Sequence, residues 1–295
     1  MKVGAVLRLV RPPNVFTAFA DAMAGLLVVR ALGVTISDSF LALIAASGCL
    51  YLSGIVLNDV FDREVDAVER PNRPIPSGDV SLRFAIAMGT GLLATGVVLA
   101  FMVSSASGVV AVALAAAILA YDSALKHTSA GPFSMGSCRL LNFTLGLSPL
   151  FAIGADVPWQ IWFGPLLLGS YIVALTYIAR DEVQGNALAR VRRGLTGMAA
   201  VFICAGVVLM FFMPDRPMWA MVWFGALAGL AFRNWAPLWQ GADGPSTGRA
   251  IGGGIVLIPV IDAVACAAAG EPFWAISVAA MIFPAMALKK YFYST

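Results

Sequence analysis

The sequence predicts an all-α fold, a polytopic membrane helical bundle forming a single domain over residues 1–295. Three observations carry that expectation. Of 295 residues, 60% are hydrophobic and 12% charged, with a mean hydropathy of +0.87, whereas soluble domains carry roughly 25% charged residues. Apolar stretches of about 20 residues, the length that crosses a bilayer, recur along the whole chain. The basic residues also fall on alternate connections. With the N-terminus inside and ten crossings, all 19 lysines and arginines except Arg30 and Arg216 reach the cytoplasmic side. The net charge of +3 therefore reads as topology, and no nucleic-acid partner is expected.

The stretches lie near 14–33, 38–57, 82–104, 106–125, 132–153, 159–179, 193–213, 217–236, 248–270 and 273–291. Only Gly270-Glu271-Pro272 joins the last two, so one of them is a candidate re-entrant or tilted segment. Nine core spans are expected, with ten the alternative count. The first stretch is too long for the apolar region of a cleavable signal and lacks a clear cleavage site, so the chain is expected to stay where it inserts. Cys49, Cys138, Cys204 and Cys266 are scattered without CxxC spacing and read as small packing residues. The single histidine, His127, excludes a multi-histidine metal site. No GxSxG, Walker A or GxGxxG pattern occurs.

Polar residues concentrate at the ends of two stretches. After the second, Asn58-Asp59-Val60-Phe61-Asp62-Arg63-Glu64-Val65-Asp66 sets Asp59, Asp62 and Asp66 at i, i+3 and i+7. A helix stacks these three carboxylates on one face and puts Asn58 beside Asp62. A solvated acidic helix end would have the same composition. Stacked carboxylates repel one another, however, and Mg²⁺ relieves that repulsion by taking one or two carboxylates and filling its shell with water and phosphate oxygens. After the sixth stretch, Arg180-Asp181-Glu182-Val183-Gln184-Gly185-Asn186 returns to the same side four crossings later. Two acidic patches so placed can face each other across a cavity and hold one or two ions.

Arg63, Arg70, Arg73, Lys126, Arg139, Arg180 and Arg190 fall on this face. Carboxylates, Mg²⁺ and basic side chains together describe a diphosphate site, although each cation taken singly also suits a positive-inside anchor. Asn14, Tyr121 and Asn142 lie near the same ends of their stretches, placed to orient a substrate. Asp21 and Asp262 lie inside stretches, where a carboxylate turns to the bundle interior or a polar cavity. For Asp262, a helix contact or an arginine pair competes with catalysis.

The run Asn58 to Asp66, with its continuation Glu69-Arg70-Pro71-Asn72-Arg73-Pro74-Ile75-Pro76-Ser77-Gly78, resembles the NDxxDxxxD and ERPNRPIPSG signature of the UbiA prenyltransferase superfamily. Arg11-Pro12-Pro13-Asn14, Tyr121-Asp122-Ser123-Ala124-Leu125-Lys126-His127 and the polar cluster after the sixth stretch resemble the same family. The likeness covers most of residues 8 to 195 by motif. It implies a bundle, usually of nine spans, whose central cavity opens to the cytoplasmic side and laterally to membrane lipid. Under the same resemblance Asn58, Asp59, Asp62 and Asp66 bind Mg²⁺ and an isoprenyl diphosphate, and Lys126 contacts the diphosphate. Asn14, Arg63, Arg73, Tyr121, Arg139, Asn142, Arg180 and Asn186 complete the expected substrate contacts. Asp181 and Glu182 are either further metal ligands, the preferred role, or acceptors of a proton.

The second cluster departs from the family pattern, with Asn186 at the usual terminal Asp and Ala179 where another Asp often stands. Together with Met135-Gly136-Ser137-Cys138-Arg139-Leu140-Leu141-Asn142, it resembles the EboC-like branch, from which no substrate carries over. The implied chemistry is ionisation of the diphosphate ester to an allylic cation and its capture by an unidentified lipophilic acceptor, aromatic or quinone-like. A few of the 18 Phe and 7 Trp would line an isoprenoid tunnel. A bacterial inner membrane, with the N-terminus and site cytoplasmic, is the expected location. A proton-coupled carrier using Asp21 and Asp262 is the rival from another class. Against it stand the lack of a convincing inverted repeat and carboxylates that gather at a membrane surface. The DGxxAR…GxxxDxxxD pattern of CDP-alcohol phosphotransferases is absent. A catalytically lapsed, isoprenoid-binding member is the remaining alternative.

Overall fold

The computed structural model describes residues 3–37, 41–154, 157–180, 187–213, 217–241 and 243–292. Its helices are α1 (Val3–Val10), α2 (Val15–Ala31), α3 (Leu41–Phe61), α4 (Arg63–Glu69), α5 (Leu82–Val103), α6 (Ser105–Ala120), α7 (Gly131–Ala152) and α8 (Phe163–Ala179). The chain continues through α9 (Ala187–Phe212), α10 (Pro217–Trp235), α11 (Pro237–Gln240), α12 (Gly244–Val256), α13 (Ile258–Ala269), α14 (Trp274–Ala279) and α15 (Ile282–Phe292). No strand occurs among the described residues. The apolar stretches are mainly helical over their described residues, and among those residues seven helical segments are long and apolar enough to cross a membrane. The final stretch, 273–291, is split into the two short helices α14 and α15. The stretch 248–270 is broken at Leu257, because Pro259 has no amide to continue the ladder.

Local chemistry sets the helix ends. Ser81 and Ser104 cap α5 and α6, accepting from the amides of Phe84 and Ser107. Asp243 caps α12 by accepting from the Ser246 amide at 2.6 Å, which holds its carboxyl below the usual carboxylate range. Gly270, at φ 99°, ends α13 in a left-handed turn that a side chain would strain.

Burial separates inner from outer helices. About two thirds or more of the apolar windows in Val3–Ala31, Trp159–Ala179 and Gly244–Ala269 is buried (67%, 67% and 72%), against 17% in α5 and 22% in Leu188–Phe212. So α2, α8 and α12–α13 form the centre, and α5 and α9 the rim. The larger core packs Phe143, Leu168, Tyr171, Ile178 and Ile261 between α2, α7, α8 and α13. A second core joins α2, α3, α5, α6 and α7 through Leu43, Leu50, Leu114 and Leu145. Phe101, Met102, Val109, Ile203, Phe211 and Phe283 are exposed, a liability in water but the normal outer face of a bundle in lipid. At the end of the bundle where α2 finishes, Trp159, Trp219 and Trp274 meet Phe212, Phe273 and Arg30, an aromatic belt of the kind that marks a membrane interface. The acidic motif lies at the opposite end.

The centre is held by close helix contact and by polar links. A Cβ on Gly25 would stand 2.5 Å from the Phe143 carbonyl oxygen, and one on Gly146 would stand 2.2 Å from that of Ala22. Backbones of α2 and α7 therefore touch, as small residues permit in membrane bundles. Above that crossing, Arg139 of α7 pairs with Asp21 of α2 at 2.9 Å and donates to Thr17 Oγ1 at 2.8 Å. Asn142 donates to Asp21 at 2.8 Å and accepts from Ser47 of α3 at 2.7 Å. Asp262 of α13 stands against Asp21. Asp21 and Asp262 thus face the interior, and an arginine pair, with Asp21, is what the structure displays.

Candidate active site

The acidic run is helical, as its spacing predicts. Hydrogen bonds run through the junction of α3 and α4, from the Asp62 amide to the Asn58 carbonyl (2.9 Å) and from the Asp66 amide to the Asp62 carbonyl (2.8 Å). The side chains divide into two sets. Asp59 and Asp66, each 2% exposed, are bridged by Arg73, whose Nη1 donates to Asp59 Oδ1 at 3.1 Å and to Asp66 Oδ2 at 2.5 Å. Arg70 adds a longer contact to Asp66, 3.8 Å. Asp62 instead accepts from Lys126, and His127 stands 4.0 Å from the same oxygen. Arginine and lysine, rather than mutual avoidance, relieve the repulsion that three carboxylates on one run would create.

Two residues outside the expected site belong to it. Arg11 Nη2 donates to Asp59 Oδ1 at 2.5 Å, so Asp59 is held by arginines from both chain directions. Arg11 has φ 45° and ψ 63° and is the only non-glycine with positive φ among the described residues. That conformation costs about 1–2 kcal/mol. Asp122, 3% exposed, accepts from Asn58 Nδ2 at 3.0 Å. It sits on a π-turn, Tyr121–Leu125, closed by a bond from the Lys126 amide to the Tyr121 carbonyl. Such turns concentrate at functional positions. The sequence signal for Arg11 was its place before Pro-Pro-Asn, and for Asp122 a carboxylate within the last turn of the apolar stretch 106–125.

A cavity of about 390 Å³ opens beside this cluster. Arg11, Asn14, Asn58, Tyr121 and Asp122 line its polar end; Tyr51, Arg139 and Asn142 line it farther along their helices. Its walls are apolar, built from Leu114, Ile118, Ile172, Leu175, Ile251 and Ile255. The Arg139 guanidinium lies over the Tyr51 ring, 5.5 Å from its centroid. Of the expected residues, Asn14, Asn58, Tyr121, Arg139 and Asn142 line the cavity, while Asp59, Asp62, Asp66, Arg73 and Lys126 form the ion-paired cluster next to Asn58.

Other expected positions stand apart. Arg63 pairs with its neighbour Glu64 at 2.6 Å, 43% exposed, and does not line the cavity. Arg180 is exposed at the end of α8. Asp181, Glu182 and Asn186 lie outside the described residues. Cys49, Cys138, Cys204 and Cys266 are all free. Among the described residues no three His, Cys, Asp or Glu side chains come together as a preformed metal set. Two buried carboxylate oxygens at this end, Asp59 Oδ2 and Asp122 Oδ2, have no hydrogen-bond partner.

The model of the UbiA prenyltransferase family matches residues 18–250. A digeranylgeranylglyceryl phosphate synthase of Methanoculleus marisnigri is 33% identical over 128 residues, 43% of this chain and 45% of the relative. The chain thus aligns with just under half the length of that relative. A digeranylgeranylglyceryl phosphate synthase of Metallosphaera sedula is 29% identical over 237 residues, 76% of this chain and 79% of the relative. Among solved structures, a UbiA homolog from Archaeoglobus fulgidus bound to DMAPP and Mg²⁺ superposes with a TM-score of 0.59 at 16% identity, covering 85% of this chain and 98% of that one. At that identity the likeness establishes the fold.

Proposed function

The chain belongs to the UbiA prenyltransferase family, and from that premise we propose that it moves a prenyl group from an isoprenyl diphosphate to a lipophilic acceptor, within the membrane and with Mg²⁺. The observation that carries this reading is one cavity with two chemistries. Its end is ringed by Asn58, Asp122 and Arg11, beside the Asp59–Arg73–Asp66 and Asp62–Lys126 pairs. Its walls are isoleucine and leucine. A diphosphate head suits the first and an isoprenoid tail the second.

The donor set fits Mg²⁺. Asp59 Oδ2 and Asp122 Oδ2 are buried and unpartnered, and this ion takes one or two carboxylates together with substrate phosphate oxygens. Asn58, Asp59, Asp62 and Asp66 are the residues proposed to hold it, with Asp181 and Glu182 joining them from the segment after α8. When bound, the ion supplies charge stabilisation to a leaving diphosphate.

The chain's own residues do the rest. Lys126 and Arg73 carry charged donors suited to diphosphate oxygens, where a charge-assisted bond strengthens as the C–O ester breaks. Arg11 keeps Asp59 in place. The leucine and isoleucine walls exclude water from an allylic cation, and the aromatic side chains of Tyr51 and Tyr121, which line the cavity, are the nearest source of π density for it. Asn14, Arg139 and Asn142 are placed for the acceptor.

An aromatic or quinone-like acceptor fits those aromatic side chains. A lipid phosphate is the second reading, favoured by the product for which both curated relatives are named. The basic residues at the site end support a cytoplasmic site and N-terminus, by the positive-inside rule. The test is incubation of the purified chain in lipid with Mg²⁺ and labelled geranyl, farnesyl or geranylgeranyl diphosphate. A prenylated glyceryl phosphate is offered in one arm and a quinone precursor extract in the other. A labelled product lost with EDTA and in Asp62→Ala supports transfer, and the productive arm names the acceptor class. Diphosphate binding without turnover in either arm would make this a lapsed, ligand-binding member.

A further inference from the structure

We infer that Asp122 is a cation-binding residue of this site, supplying a carboxylate oxygen to the divalent ion that accompanies a diphosphate and fixing the orientation of Asn58. The inference rests on the diphosphate reading above and adds a residue to it.

Three features of the structure converge on Asp122. Its carboxylate is buried, lines the cavity and leaves Oδ2 without a hydrogen-bond partner. Buried carboxylates are ordinarily paired or bound to metal, since an uncompensated charge away from water is strongly unfavourable. Its charged neighbours are Lys126, Asp62 and Asp59, and the one cation among them, Lys126, donates to Asp62. Among the described residues, no second cation is paired with it. Asp59 Oδ2 is likewise without a hydrogen-bond partner among the described residues, whereas Asp66 is engaged by Arg73 and Arg70.

The Asn58 carboxamide links the two. Its Nδ2 donates to Asp122 Oδ1 at 3.0 Å, which engages one of its two N–H groups, fixes the carboxamide and turns its own Oδ1 into a candidate neutral oxygen ligand. A metal-binding oxygen held by such a bond depends on its holder nearly as much as on itself. The π-turn places Tyr121 and Asp122 on the cavity and Lys126 on Asp62 at once. Two carboxylates and one carboxamide leave the remaining positions of an octahedral ion for diphosphate oxygens and water.

The experiment measures binding of inorganic diphosphate to the full chain in lipid nanodiscs by calorimetry, at a series of Mg²⁺ concentrations. Asp122→Asn keeps an oxygen that can accept from Asn58 and removes only the charge. It is expected to raise the Mg²⁺ concentration for half-maximal binding about 10-fold or more, with binding restored at saturating Mg²⁺. Without Mg²⁺ the same variant should unfold at an equal or higher temperature than the parent, because a buried charge has gone. A half-saturation unchanged within about twofold, or a loss that Mg²⁺ cannot restore, overturns the inference. Asp62→Ala separates the two proposals. If the parent binds no diphosphate at any Mg²⁺ concentration, or Asp62→Ala binds as the parent does, the diphosphate reading itself fails; if the parent binds equally well without Mg²⁺, the cation role of Asp122 falls. If both behave as expected and Asp122→Asn shifts nothing, only the role of Asp122 falls.

Discussion

Arg11 reaches Asp59 at 2.5 Å across 48 residues of chain, and does so from a left-handed backbone at φ 45°. The contact and the strain separate by substitution. Arg11→Ala removes the guanidinium and keeps the strain; with Arg73 still on Asp59, the expected loss is about 1.5–3 kcal/mol, the range for a hydrogen bond to a charged group. Arg11→Gly removes the same guanidinium but relaxes the backbone, so it should be more stable than the alanine variant by about 1 kcal/mol. Equilibrium unfolding in mixed micelles measures both. Equal stabilities would mean that the left-handed turn stores no strain.

Lys126 and Asp62 form the most enclosed ion pair of the site after the arginine-bridged set, 10% and 20% exposed. Asp62→Asn is expected to lower turnover about 100-fold, the scale of losing one electrostatic contributor to a transition state. Lys126→Met should lower turnover as well as raise KM for the prenyl diphosphate, because its bond to the leaving group strengthens as the ester breaks. Because the two side chains touch, their effects are expected to be non-additive, with the double variant little worse than Asp62→Asn. Additive losses would assign them to separate steps.

The interior charges allow a double-mutant cycle. Arg139 is the counter-ion of Asp21 at 2.9 Å, and both are almost fully buried. Removing one partner strands the other, so Arg139→Leu should cost about 3–5 kcal/mol, while Arg139→Leu with Asp21→Leu should recover most of it. Asp262, buried on α13, has the Asp21 carboxyl beside it. Asp262→Asn, which takes one carboxyl out of that pair, is expected to hold or raise the unfolding temperature. A fall of several degrees would show that the carboxylate is needed as such.

Local spacing carried the bundle, the helical acidic run and its cationic surroundings, because each rests on periodicity or composition within one segment. It did not carry the partners. Asn58 meets Asp122 across 64 residues and Lys126 meets Asp62 across the same separation, distances set by how α3 packs on α6, which no single stretch encodes. Arg63 illustrates the converse error. It lies inside the acidic run yet points to Glu64, since a residue one step along a helix faces a different way from its neighbour. The split at Leu257 was legible in Pro259, but hydropathy averaged over the window hid it. The second polar cluster, Asp181 to Asn186, lies outside the described residues.

The crossing of α2 and α7 supports both the interior charges and the cavity wall, so its glycines offer a test remote from the chemistry. Gly146 faces Gly25, with a built Cβ 2.9 Å from the Gly25 Cα and 2.2 Å from the Ala22 carbonyl oxygen. Those atoms are backbone and cannot move aside singly. Gly146→Ala should therefore push the helices apart, at a cost of about 1–3 kcal/mol as for other overpacked sites. The separation moves Arg139 and Asn142, which lie on α7 one to two turns before Gly146, away from Asp21 on α2. Diphosphate binding, which draws on α3, α4 and the Tyr121–Leu125 turn, should change little, while acceptor use falls. Gly197→Ala, on α9 with open space where its Cβ would lie, should leave both unchanged. Loss of diphosphate binding in Gly146→Ala at temperatures where it remains folded would mean that the α2–α7 crossing positions the acidic end as well.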